Sequence, residues 1–328
     1  MNEIIFPDLY CPFPSKINKY VDVMENCSLE WVRRFDLLAN ESSYQRFSKS
    51  KFFLLAAHAY PECQLEELKI ANNWLSWVFI WDDQCDLSEL GKQPKVVKMF
   101  HKRFLEILHG AELTSQDIPL SHALRDLRQQ TLQRASKEWF VHLVHGFEEW
   151  FHGYAQEATI RAQKIVPDVN TYILLRRSSV GVNIFLTLTE LCHQFTVNNF
   201  LRNHHLLNQI KLMTGQIIAW SNDIFSAHRE MASGDVHNLV LVLSYYQKIT
   251  VEEAMNKVAA MHDQEVKYLL NLEASIQSFG EELDAQIAAY ISGCHAWIRS
   301  NLDWYFSSDR YQTVKRLELV ESLELVEV

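Results

Sequence analysis

Glycine and proline are scarce. The 328-residue chain carries nine glycines and seven prolines, where average usage predicts about 23 and 16. A β-sandwich, propeller or barrel needs many turns, and turns are where these residues concentrate, so those classes are disfavoured. No proline follows Pro167, which leaves the second half free to carry long, uninterrupted helices. Cysteine pairs are lacking as well. The six cysteines are scattered with no CxxC spacing, so they read as reduced thiols rather than a disulfide framework or a zinc site. There is no basic excess: 31 Lys and Arg against 41 Asp and Glu give a net charge of −10, which argues against a phosphate-binding surface for nucleic acid. Nor is there a long apolar run. The densest, Trp74–Trp81, is too short to span a bilayer. The N-terminal residues show neither a basic nor an apolar signal region, so a cytoplasmic protein is expected. What is present is a chain 48% hydrophobic and 22% charged, able to bury a large core. The expectation is all-α.

Apolar residues recur at three- and four-residue steps. This periodicity predicts helices over 18–38, 42–58, 62–83, 94–109, 119–135, 137–164, 168–194, 203–232, 236–247, 250–279 and 281–306. Residues 1–14 read as an extended lead-in and 312–328 as a peripheral tail. No linker or composition shift divides 1–328, so one domain is expected.

The buried helix ending at Trp81 runs into Asp82-Asp83-Gln-Cys-Asp86. Asp82 and Asp86 share one helix face, and acids at a helix C-terminus oppose the macrodipole. A partner cation would resolve that conflict; a solvated acidic end is the plain alternative. A second stretch, Asn222-Asp-Ile-Phe-Ser226-Ala-His-Arg-Glu230, stacks an amide, a hydroxyl and a carboxylate on one face. Such hard oxygen donors of low total charge suit Mg²⁺ shared with a phosphate. Arg229 beside Glu230 is placed to reach an anion there. Two basic patches complete the set: Arg176-Arg177-Ser-Ser-Val-Gly181, where Gly181 marks a helix break, and Arg310-Tyr311. Together they describe a phosphate ester held by divalent cations on one side and arginines on the other.

In these four ordered motifs the sequence resembles a class I terpene synthase of the microbial, single-domain type. The acidic string matches the family's aspartate-rich motif, the second stretch its NSE motif, Arg176–Gly181 its diphosphate-sensor and effector segment, and Arg310-Tyr311 its C-terminal pair. The resemblance implies a helical bundle around a central apolar cavity. It implies a cluster of three Mg²⁺ ions, with Mn²⁺ as a substitute, on Asp82, Asp86, Asn222, Ser226 and Glu230. The sensor arginine, Arg229, Arg310 and Tyr311 would bind an isoprenyl diphosphate, which ionises and cyclises. Spacing to the NSE motif favours Arg176 as sensor and spacing to Gly181 favours Arg177, so the doublet leaves that choice open. The break at Gly181 would aim a main-chain carbonyl at the nascent cation. Val78 and Phe79, one turn before Asp82, would line the cavity, with Phe185 and Trp304 as further aromatic faces. Gly215 lies where added bulk could crowd that cavity. Family analogy favours farnesyl diphosphate and a germacrene- or selinene-type hydrocarbon, made by a monomer or homodimer.

Three competing functions remain at this stage. A prenyl-elongating synthase shares the fold but carries a second aspartate motif in place of NSE. Glu149-Trp-Phe-His152 and Glu190-Leu-Cys-His193 resemble the paired strings of a di-iron carboxylate bundle. A non-catalytic helical scaffold would use none of these residues.

Overall fold

The computed structural model describes residues 5–86 and 88–312, and all regular structure among them is helical. Fifteen α-helices follow one another: α1 (Val21–Arg34), α2 (Glu41–Ser50), α3 (Phe52–Ala59), α4 (Leu65–Asp86), α5 (Pro94–Leu108), α6 (Pro119–Leu132), α7 (Lys137–Gln163) and α8 (Val169–Ser179), then α9 (Val182–Cys192), α10 (Asn199–Asn203), α11 (His205–Ser233), α12 (Leu239–Gln247), α13 (Val251–Ala274), α14 (Glu281–Ser307) and α15 (Asp309–Gln312). None is long and apolar enough to cross a membrane. Of the expected tail 312–328, Gln312 ends α15 and residues 313–328 lie outside the described residues.

Helix α4 is the centre of the bundle. It is apolar nearly all round and buried on every side. Trp74, Trp77 and Trp81 are each at most 1% exposed, and each indole N–H finds a neighbour. Trp74 donates to Thr131 Oγ1 at 3.0 Å, Trp77 to the Leu120 carbonyl at 2.9 Å and Trp81 to His101 Nε2 at 3.0 Å. Large apolar bodies with a satisfied polar tip thereby lock α4 against α5 and α6. On its other side α4 meets α3 and α9, and α3 packs on α14, which packs on α11. These five helices enclose the cavity together with α7, α8 and α15. The lead-in residues 5–14 cross the outside of this wall without helix: Phe6 packs on Phe225 with ring centroids 4.7 Å apart, and Phe13 stacks on His295 at 3.9 Å.

Two expected helices are each a pair. The 42–58 stretch breaks at Lys51, whose φ of +50° is left-handed. That break frees the Ser50 carbonyl, which accepts Trp304 Nε1–H at 2.7 Å and Ser308 Oγ–H at 2.9 Å. The reward comes from α14, far along the chain, so nothing local announces it. The 168–194 stretch divides at Gly181, with φ +70°, as the glycine suggests. Helix α4 continues through Asp86 rather than ending at 83, which puts the acidic residues inside its last turn. The short α10 and α15 are additional, and α12 starts at Leu239 because Asn238 caps it.

Candidate active site

The last turn of α4 forms one rim of the cavity. Arg310 on α15 reaches across it, with Nη1 2.6 Å from Asp83 Oδ1 and Nη2 3.5 Å from Asp82 Oδ2. Withdrawal from water pushes Asp82 well above the usual carboxylate range; Asp86 adds to this and Arg310 opposes it. Asp86 accepts the Tyr154 hydroxyl at 3.1 Å and lies 3.5 Å from Arg161 Nη1. Arg161 also bonds Asp235 at 2.8 Å and lies 3.6 Å from Glu157, whose Oε1 is 2.7 Å from His237 Nε2.

Helix α11 forms the opposite rim. Asn222 accepts from Arg176 Nη2 at 2.8 Å and donates to the Tyr311 hydroxyl at 3.1 Å. Its neighbour Asp223 is wholly buried and faces the other way. There it meets Arg176 Nη2 at 3.1 Å, the Leu239 N–H at 3.1 Å and the Tyr172 hydroxyl. Burial raises its pKa to about 6 against the pull of Arg176. One and two turns on, Ser226 and Glu230 both contact the Asn238 amide. Arg229 lies with its guanidinium 5.9 Å from the Tyr311 ring centre, so cation and phenol close the same edge.

Below the rims the lining turns apolar and aromatic. Val78, Phe79, Phe185 and Trp304 all face the cavity. Phe79 stacks on Phe52 at 4.3 Å, and Phe185 on Trp297 at 5.2 Å. The α8–α9 break enters this wall through Val180 rather than Gly181. The Gly181 carbonyl is already taken by the Ile184 N–H at 3.2 Å. The Val180 carbonyl has no partner among the described residues.

Asp82, Asp86, Arg176, Asn222, Arg229, Glu230, Arg310 and Tyr311 thus meet around one opening, whereas Ser226, one turn before Glu230, is fully buried and outside the lining. Besides the shift from Gly181 to Val180, two expectations are corrected and one alternative falls away. Arg177 points away from the cavity, bonding Gln216 at 2.9 Å, which continues to Glu265 at 3.0 Å; successive residues on a helix cannot face the same way. Gly215 is not in the lining, and a Cβ there would meet nothing within 4 Å. The two ExxH strings do not converge: Glu149 bonds Asn183, His152 bonds Gln156, and Glu190 holds the Val197 N–H and Arg202.

Sequence reasoning passed over Tyr154, Glu157, Arg161, His237 and Asn238. Asn238 had one signal, an Asn directly before an apolar run, which is an N-cap pattern. Gly153 on α7 also matters to the site's geometry. A Cβ there would sit 2.7 Å from the Ser179 nitrogen, so only glycine lets α7 come this close to the break.

No three His, Cys, Asp or Glu side chains among the described residues converge on one metal-sized point. The donor chemistry nevertheless fits hard divalent cations. Oxygen donors line both rims, and Asp82 and Asp86 bring two carboxylates to the same side of the end of α4. A surface groove of about 730 Å³ between α5 and α7 holds none of these residues.

Comparison with known proteins agrees with this geometry. The model of terpene synthase family 2, described by its C-terminal metal binding, matches residues 73–268. A germacrene A synthase from Nostoc punctiforme is 62% identical over 98% of this chain and 99% of its own length. A (+)-T-muurolol synthase from Roseiflexus castenholzii, which cyclises (2E,6E)-farnesyl diphosphate, is 32% identical over 95% of this chain and 96% of its own. Among solved structures, a hedycaryol synthase bound to HEPES superposes with a TM-score of 0.81, at 24% identity over 93% of this chain and 99% of that one.

Proposed function

The chain belongs to terpene synthase family 2, and from that premise we propose that it is a Mg²⁺-dependent cytoplasmic cyclase of farnesyl diphosphate releasing a germacrene A-type sesquiterpene. One observation carries the reading: two rows of oxygen donors face each other over an aromatic-walled cavity, with arginines between them. The 62% identical germacrene A synthase supports the choice of product, and the 32% identical T-muurolol synthase, which cyclises farnesyl diphosphate, the choice of substrate. We read the chain as one catalytic domain acting as a monomer or homodimer.

Asp82, Asp86, Asn222, Ser226 and Glu230 would hold a cluster of three Mg²⁺ ions, or Mn²⁺ in their place. Bound there, such cations neutralise the diphosphate leaving group. Arg176, Arg229, Arg310 and the Tyr311 hydroxyl bind diphosphate oxygens, after letting go of Asn222, Asp82 and Asp83. Charge develops on the diphosphate as the allylic C–O bond breaks and both bonding electrons leave with oxygen, so fixed cationic donors at that place lower the barrier. The Val180 carbonyl presents its negative end to the cation left behind. Phe79, Phe185 and Trp304 face its passage with π-electrons and no nucleophile. Val78 and its apolar neighbours keep out the water that would quench it. Transfer of a proton from the cyclised cation to an oxygen of the released diphosphate, its C–H electrons forming the new double bond, then gives the hydrocarbon.

The test incubates purified protein with C10, C15 and C20 isoprenyl diphosphates, with Mg²⁺ or with EDTA, and identifies volatiles by mass spectrometry. A cyclic C15 hydrocarbon that requires Mg²⁺ is expected. Absence of any Mg²⁺-dependent terpene from all three substrates would overturn the reading.

A further inference from the structure

Asn238 stands between α11 and α12 with no exposed surface. Its side chain does two separate things. The oxygen caps α12, accepting the Val240 N–H at 2.8 Å and the Leu241 N–H at 3.4 Å. The nitrogen turns back onto α11, 2.7 Å from the Asp223 carbonyl, 2.8 Å from Glu230 Oε2 and 3.3 Å from Ser226 Oγ.

Capping needs only the oxygen, and serine or aspartate would serve as well. The nitrogen therefore has a use of its own. An amide offers two protons, and here three acceptors on α11 share them, two of them the Ser226 and Glu230 side chains of the NSE face. Glu230 is on a side chain with three rotatable bonds, and fixing it beforehand spares the entropy of doing so on binding. We propose that Asn238 is a positioning residue for the cation site, aligning Glu230 with Ser226 through its amide nitrogen; this rests on the proposed function. The neighbour that orients a ligand is typically worth 10- to 100-fold in metal affinity, by about the same logic as a carboxylate behind a ligating histidine. Asn238 also ties that alignment to the sensor side, because the Asp223 carbonyl it holds belongs to the residue whose carboxylate anchors Arg176.

Two variants separate the oxygen from the nitrogen. Asn238→Ser keeps a capping oxygen and loses the reach to Glu230, whereas Asn238→Ala loses both. Thermal melts are followed as Mg²⁺ is titrated at fixed inorganic diphosphate, and kcat is measured with farnesyl diphosphate. Without ligand, N238S should melt near the wild type and N238A lower. Both should need about 10- to 100-fold more Mg²⁺ for half of the stabilisation. Excess Mg²⁺ should return kcat of N238S to within a few-fold of the wild type. A wild-type Mg²⁺ midpoint in N238S would overturn the inference alone, as would a kcat loss that excess Mg²⁺ does not repair. A wild-type protein that ignores Mg²⁺ and diphosphate would overturn it together with the function beneath it.

Discussion

Arg176 holds Asn222 across the mouth of the cavity, Nη2 to Oδ1 at 2.8 Å, and the same nitrogen lies 3.1 Å from Asp223. One guanidinium thus spans a metal-ligand candidate and its neighbour on α11. The adjacent Arg177 turns to Gln216. The pair should separate cleanly in kinetics. Arg176→Ala is expected to lower kcat by about 10²- to 10³-fold, the usual cost of one donor aimed at developing charge. Arg177→Ala should stay within a few-fold of wild type. Steady-state assays of both variants decide it, and equal losses would mean that the doublet acts as a unit.

Asp82 and Asp83 make a similar contrast. Arg310 bonds Asp83 at 2.6 Å and reaches Asp82 only at 3.5 Å, but Asp82 is the one that faces the cavity. Asp82→Asn should collapse turnover and raise the Mg²⁺ requirement. Asp83→Asn removes a partner of a cation whose side chain is only 7% exposed. Its cost should fall on the placement of Arg310, giving a higher KM with kcat within about tenfold of wild type. A Mg²⁺ titration of both variants reads the difference.

Much of this was legible in the sequence because it is written at helical spacing. The apolar face of α4, the acids at its end and the i, i+4, i+8 row on α11 are properties of one helix each. Arg310-Tyr311 could be placed by its motif alone. What stayed hidden depends on a second, distant element. Lys51 breaks a helix because Trp304 and Ser308 take the freed Ser50 carbonyl. Arg176 is distinguished from Arg177 only once α11 lies beside α8. Asn238 reads as a helix cap, and its second bond set exists only because α12 folds back on α11.

The glycines around the break give a stability series with a built-in control. Gly181 has φ +70°, and a Cβ there would come within 3.1 Å of Trp150. Gly181→Ala should cost about 1–2 kcal/mol for the left-handed backbone alone. Gly153→Ala drives a methyl against the Ser179 nitrogen at 2.7 Å, and overpacking of this kind costs about 1–3 kcal/mol. Because Val180 is next in the chain, G153A should also alter the ratio of products. Gly215 has open space around it, so Gly215→Ala should be neutral or stabilise by up to about 1 kcal/mol. Urea melts and product profiles of the three test the series. An unchanged product ratio in G153A would detach the α7–α8 contact from the chemistry.

His101 predicts how the protein responds to acid. It is 4% exposed, stacks on Phe151 at 4.1 Å, and its Nε2 is the acceptor for Trp81. Burial lowers its pKa from 6.5 to about 3. The folded chain thus keeps this imidazole neutral while the unfolded chain protonates it. Between pH 6.5 and 3 the unfolded state binds the extra proton, so the stabilisation is complete above about 6.5 and is lost as pH falls. The slope from this one group is up to about 1.4 kcal/mol per pH unit. His101→Gln retains an acceptor for the Trp81 indole and has nothing to titrate. Its unfolding free energy should be lower at pH 7 but should fall less steeply between pH 6 and 4. Denaturant melts at each pH measure both slopes, and parallel curves would mean that His101 is already charged in the folded protein.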